Sequence, residues 1–168
     1  MTRPSEAAGA RWDEIDLEVK VWTIPPARMK KRREHRIPLT KQAIALLEIM
    51  KPISGHREFV FPSDRDPLKS CNNQTVNMAL KRMGFEGRLV SHGLRSLAIT
   101  TLNEQAFEAD LVEAALAHVD KNQVRSTYNR TDYLERRIPM MVWWSEHIEK
   151  ASLGSLSVTS TLGLKPTI

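Results

Sequence analysis

Residues 17–40 read Leu17-Glu18-Val19-Lys20-Val21-Trp22-Thr23-Ile24-Pro25-Pro26-Ala27-Arg28-Met29-Lys30-Lys31-Arg32-Arg33-Glu34-His35-Arg36-Ile37-Pro38-Leu39-Thr40. Leu17, Val19 and Val21 alternate with Glu18, Lys20 and Trp22, and this period of two predicts a half-buried strand over 17–24. Pro25-Pro26 ends it. His35-Arg36-Ile37-Pro38-Leu39 predicts a short returning strand, so the basic run between them is the tip and second arm of an antiparallel hairpin. At Thr40 the period changes. Thr40 suits a helix cap, Ala43, Ile44, Leu47 and Met50 fall at helical spacing, and Pro52 is expected beyond the end.

Downstream the pattern stays helical. Residues 53–73 are a connector rich in Pro, Ser, Asp and Asn, broken by the apolar patch Phe59-Val60-Phe61. A helix is predicted from about Thr75 to Met83, with Gly84 as its left-handed stop. Ser91 is read as the cap of the next, with Leu94, Leu97, Ala98 and Leu102 as its buried stripe. Further helices are predicted over about Ala109 to Ala117, Lys121 to Tyr128, and Tyr133 to Lys150, with Pro139 near the start of the last or kinking it. The fold class is therefore α+β, mostly α: a helical domain with a small antiparallel β-hairpin sheet near the N-terminus. Residues 1–150 are read as the domain and 151–168, low in charge and without period, as a flexible tail.

The chain has 168 residues, 41% hydrophobic and 27% charged, which fits one ordinary globular domain. No stretch approaches the roughly 18 consecutive apolar residues of a spanning helix. Met1-Thr2-Arg3-Pro4-Ser5-Glu6 lacks the apolar run of a secretory signal. The single cysteine, Cys71, cannot pair internally and reads as a small filler; the cytoplasm suits it. Net charge is +5, and residues 28–37 alone hold six Lys/Arg against Glu34, leaving nineteen of each sign elsewhere. A basic stripe on a neutral body points to a polyanion; charge alone does not choose among DNA, RNA and a membrane surface.

Several chemistries are excluded by pattern: no phosphate-binding P-loop, no Gly-x-Ser-x-Gly elbow and no paired-cysteine zinc pattern occurs. Asp13, Glu14 and Asp16 lie on alternating faces around a strand start and do not read as a metal site. What remains is a supply of phosphate-handling side chains. His92 and Arg95 share the face of a helix start, where the helix dipole favours anions. His118 follows a helical segment, Tyr128 lies in the next short helix, and Arg3 precedes Glu6 by three residues.

Taken in order, Arg3-Pro4-Ser5-Glu6, Ala10-Arg11-Trp12-Asp13-Glu14-Ile15-Asp16, Lys30 in the hairpin, Ser91-His92-Gly93-Leu94-Arg95, Leu116-Ala117-His118 and Tyr128-Asn129-Arg130 resemble the catalytic domain of the tyrosine recombinases. The wording is especially that of satellite-phage and pathogenicity-island integrases, and the resemblance spans about residues 3–150. It implies site-specific DNA recombination and integration through a covalent 3′-phosphotyrosyl intermediate. By that resemblance Tyr128 is the nucleophile, Arg3 and Arg95 clamp the phosphate oxygens, His92 assists proton transfer and His118 hydrogen-bonds the phosphate. Lys30 matches the general acid, with Lys31 beside it as the alternative; Glu6 is structural. No cofactor and no metal are implied.

The stripe residues Lys31, Arg32, Arg33 and Arg36, with Lys121, Arg125, Arg130, Arg136 and Arg137, are expected on the DNA backbone, where contacts position without reading sequence. The implied partners are double-stranded attachment-site DNA, three further copies in a homotetramer, and a host DNA-bending protein or excisionase, in a bacterial nucleoid-associated setting. A DNA-binding remnant without chemistry and a type IB topoisomerase-like activity share these residues and stand as alternatives. The resemblance also implies an apolar helix and a core-binding domain ahead of Arg3. The chain begins two residues before Arg3, which reads as an N-terminally clipped fragment with Arg3 poorly held and its own activity open.

Overall fold

The computed structural model describes residues 1–118 and 132–153. In chain order the elements are α1 (Pro4–Ala8), β1 (Ile15–Asp16), β2 (Val21–Ile24), β3 (His35–Pro38), α2 (Lys41–Ser54), α3 (Thr75–Leu80), α4 (Ser91–Glu104), α5 (Ala109–Ala115) and α6 (Leu134–Ser152). The fold is α+β and mostly helical, with one three-stranded antiparallel sheet in the order β1-β2-β3. The hairpin expected around the basic run is β2–β3, registered Val21 on Pro38 and Ile24 on His35.

The strand expected over 17–24 is shorter than its alternation. Asp16 Oδ1 accepts from the backbone N–H of Glu18 at 2.9 Å and of Val19 at 3.0 Å, and Lys20 takes φ +57°. This side-chain turn reverses the chain and makes β1 a third strand on β2, leaving Val19 66% exposed.

Two clusters hold the domain together. Leu102, Leu111, Val112, Ala115, Leu116, Met140 and Met141 form the main core between α4, α5 and α6, with Phe107, Trp143 and Trp144 packed on it. Burying a side chain such as Leu102 contributes about 1.5–3 kcal/mol, and its truncation to alanine would cost about 2–5 kcal/mol. Under the sheet, Ile24, Met29 and Ile37 form a smaller cluster with Trp22. The α6 helix lies across β3, α5 and α2, and Thr40 meets Ser145 side chain to side chain at 2.8 Å.

Helix α4 is turned relative to its sequence reading. Its buried residues are Arg95, Ala98 and Leu102, whereas Leu94 and Leu97 are 42% and 55% exposed. A pattern that sends every leucine inward misplaces the face, because backbone carbonyls satisfy the Arg95 guanidinium inside the domain. Ser91 is the first helical residue rather than the cap; the cap position is Val90, and Asn77 Oδ1 accepts the Ser91 N–H at 2.7 Å.

Helix α3 continues through a π-helical turn, Lys81–Phe85, in which Gly84 takes the expected left-handed conformation, φ +84°. Pro52 lies within the last turn of α2 and Pro139 within α6. Helix α6 runs through Ser152, two residues past its expected end at Lys150. The connector is not a plain loop: the Val60 N–H donates to the Ala10 carbonyl at 2.9 Å, and Val60 is fully buried. The helix expected over Lys121 to Tyr128, and most of the tail, lie outside the described residues.

Candidate functional site

Arg3 stands at the cap position of α1, with Pro4 as the first helical residue. Its backbone N–H donates to Glu6 Oε2 at 2.7 Å and its guanidinium Nη1 to Glu6 Oε1 at 2.5 Å. Glu6 is 3% exposed. The expectation that Arg3 is poorly held is therefore corrected: a buried carboxylate three residues on fixes both its backbone and its side chain. Glu6 plays the structural part read for it.

Arg95 lies deeper, 6% exposed. Its Nη1 donates to the Met1 carbonyl at 2.7 Å and its Nη2 to the Leu116 carbonyl. Burial lowers its pKa, and the Arg3 charge lowers it further, against a smaller opposing pull from Glu6. The two arginines thus share one electrostatic environment, with Glu6 partly offsetting their repulsion. Leu116 also lies two residues before His118, so Arg95 ties the start of the chain to the end of α5. His118 is exposed, and its Nδ1 lies 2.7 Å from Glu113 Oε2. That contact engages Nδ1 and orients the ring.

His92 is exposed in the first turn of α4. It lines an open cleft of about 270 Å³ together with Arg3, Pro4, Ser5, Asn73, Gln74, Asn77 and Ser91. Arg3 is therefore the shared member: it borders the cleft that His92 lines, and its charge acts on the more deeply buried Arg95. Lys30 and Lys31 are both exposed after the buried Met29. No hydrogen bond or ion pair among the described residues ties either lysine to the cleft. Tyr128, Lys121, Arg125 and Arg130 lie outside the described residues.

The basic stripe is not uniform. Arg28 pairs with the nearly buried Glu14 and donates to the Glu6 carbonyl at 2.7 Å. A Cβ at position 9 would stand 2.9 Å from Arg28 Nη2, so Gly9 leaves room for that side chain. Arg32 and Arg33 are exposed, and Arg36 is half exposed with a 3.4 Å contact to Asp132. Arg136 donates to both carboxylate oxygens of Glu108 at 2.7 Å and lies 5.4 Å from the Tyr133 ring centroid. Arg137 overturns its expectation as a DNA contact. It is 1% exposed and donates to the Arg36 and Ala114 carbonyls, so it cannot reach a backbone phosphate.

The three acids near β1 are each engaged structurally: Asp13 with Arg11, Glu14 with Arg28 and the Trp22 indole, and Asp16 with its own turn. Cys71 is half-buried, its Sγ 3.9 Å from the Ala8 carbonyl, and burial pushes its thiol pKa up, as suits a filler. Two features escaped the sequence. His35 is 6% exposed, and burial together with the Arg137 charge drops its pKa to about 4. The carboxamides Asn73, Gln74 and Asn77 border the cleft but carry no spacing signal that marks them out from an ordinary Asn-rich loop.

A helical domain with a three-stranded sheet, and an open cleft lined by Arg3 and His92, is the class that fold and site define. The sequence description of the phage integrase family matches residues 1–135, and the chain belongs to that family. The chain is 60% identical over 159 residues to the prophage integrase IntA of Escherichia coli K12, a match covering 95% of this chain and 38% of that protein. It is 37% identical to the integrase of Enterobacteria phage P4, over 88% of this chain and 37% of that protein. The integrase of Shigella phage Sf6 is 36% identical, over 88% of this chain and 39% of its own length. The chain thus spans well under half the length of these relatives. No solved structure matches it. Among the described residues, no helix is long and apolar enough to cross a membrane.

Proposed function

We propose that this chain carries the DNA-cleaving and rejoining chemistry of a site-specific tyrosine recombinase. Tyr128 Oη attacks the scissile phosphorus, the phosphorus–O5′ bond breaks, and a 3′-phosphotyrosyl link and a free 5′-hydroxyl result. The link conserves the phosphodiester energy, so rejoining to a new 5′-hydroxyl needs no nucleotide cofactor. Arg3 and Arg95 stabilise the charge that develops on the non-bridging oxygens. His92 takes part in moving the tyrosine proton, His118 donates to the phosphate, and Lys30 or Lys31 protonates the departing 5′-oxygen. Lys31, Arg32, Arg33 and Arg36, with Lys121, Arg125 and Arg130, hold the DNA backbone. The substrate is double-stranded attachment-site DNA, on which four copies act together with a DNA-bending protein or excisionase.

The observation that carries this reading is that Arg3 and His92 line one cleft, while the Arg3 charge acts on the more deeply buried Arg95. Tyr133 is a poor rival for the nucleophile. It is half-buried against the helical core, at φ +51°, with Arg136 over its ring. The test is incubation of the protein with an attachment-site duplex nicked just 3′ of the scissile phosphate. A protein–DNA adduct that survives denaturation, forms in EDTA and disappears on protease treatment is expected; its absence would remove the reading.

A further inference from the structure

Between α3 and α4 lies a chain of hydrogen bonds whose direction is fixed from one end. The backbone N–H of Ser91 can only donate, so the atom of Asn77 that meets it at 2.7 Å is the carbonyl Oδ1. The other atom of that carboxamide, Nδ2, must then donate, and it meets Gln74 at 2.7 Å. The Gln74 atom in that contact is therefore its carbonyl Oε1. Its amide nitrogen, with two N–H donors, has no hydrogen-bond partner among the described residues. Gln74 is exposed and lines the same cleft as Arg3 and His92.

We infer that Gln74 is a further DNA-contacting residue, donating its Nε2–H to a phosphodiester oxygen at or beside the scissile phosphate, with Asn77 as its positioning residue. This rests on the proposal that the cleft receives DNA. A glutamine that reads adenine needs its oxygen and nitrogen together. Here the oxygen is engaged, so the side chain offers the cleft donors alone. Donors suit phosphate oxygens, and a neutral carboxamide adds one without a third positive charge next to Arg3 and Arg95. The same chain links the donor to the helix start that carries His92: Ser91 holds Asn77, and Asn77 holds Gln74. A contact of this kind is blind to sequence.

The test measures affinity of the full chain for two duplexes of unrelated sequence. Gln74→Ala is expected to weaken both about tenfold, the effect of removing one hydrogen bond to a charged group. Asn77→Ala should weaken both by less, and the double variant should bind little worse than Gln74→Ala. The contribution of Asn77 to the phosphate contact runs through Gln74, its other bond being to the Ser91 N–H. Thermal melting of Gln74→Ala should match wild type, since its side chain is exposed. Arg3→Ala serves as the reference. If Arg3→Ala weakens binding and Gln74→Ala does not, the Gln74 contact is wrong while the cleft reading survives. Loss on one duplex only would make Gln74 a base reader and overturn the phosphate assignment. If neither variant weakens binding, the cleft does not receive DNA and both readings fall.

Discussion

Arg137 Nη2 donates to the carbonyl oxygen of Arg36 at 2.5 Å, so a guanidinium only 1% exposed fastens α6 to β3. Its Nη1 reaches the Ala114 carbonyl at 3.4 Å, adding the end of α5, while its Nε is buried without a partner. Burial lowers its pKa, opposed by Asp132. Arg137→Met keeps much of the volume but strips two partly buried carbonyl contacts of their donor. A loss of about 3 kcal/mol is expected in denaturant unfolding. The salt dependence of DNA binding should stay as in wild type. A slope reduced by about 0.9 would return Arg137 to the DNA backbone.

His35 makes the fold acid-sensitive. Its ordinary pKa of 6.5 falls to about 4 in the folded protein through burial and the neighbouring Arg137, with weaker opposing pulls from the Glu6 charge and the Ala115 backbone. Between these values the unfolded chain binds a proton that the native state refuses. Stability from this group is therefore full above about pH 6.5 and declines as pH falls toward 4, by about 3 kcal/mol in all. His35→Gln should flatten that part of the stability–pH curve. Curves of equal steepness for the two proteins would show that His35 is already charged when folded.

Glu6 is the buried carboxylate set against Arg3 and Arg95. Glu6→Gln preserves the shape but leaves both cations without that counter-charge. A stability loss of about 3 kcal/mol is expected, as for a broken buried pair, together with slower adduct formation on nicked DNA. An unchanged adduct rate would show that Glu6 does not set the geometry of Arg3.

How much of this was legible in sequence follows from which interactions are local. The β2–β3 hairpin, the α2 cap at Thr40 and the glycine stop after α3 are written in neighbouring residues, and each forms where its pattern lies. The burial of Arg95 and Arg137 is not local. Each depends on carbonyls from distant segments, so a leucine-inward pattern placed Ala98 and Leu102 of α4 inside but Leu94 and Leu97 with them in place of Arg95, and a charge pattern sent Arg137 to DNA. The third strand was hidden because Leu17 to Ile24 alternates throughout, and only the Asp16 side chain shows that the chain reverses there. Arg3 and His92 were legible as motif members, but their meeting on one cleft, and the carboxamides beside them, appear only in three dimensions.

The basic stripe divides into Arg28, which is internal, and Arg32, Arg33 and Arg36, which are solvent-facing in whole or in part. Replacing the last three by glutamine should weaken binding to every duplex alike. The log–log salt slope should fall by about 0.9 for each phosphate that the variant no longer neutralises. Arg36 should contribute least, since Asp132 and its own strand already hold it. An unaltered slope would make the stripe a solvated turn with no part in binding.

The most direct test of the central claim is adduct formation by Tyr128→Phe on the nicked attachment-site duplex, with the wild-type adduct mapped by peptide sequencing. The substitution removes one hydroxyl, so DNA affinity should stay near that of wild type. The account predicts a wild-type adduct on Tyr128 and none in the variant. An adduct that persists in Tyr128→Phe, or that maps to Tyr133, would contradict it.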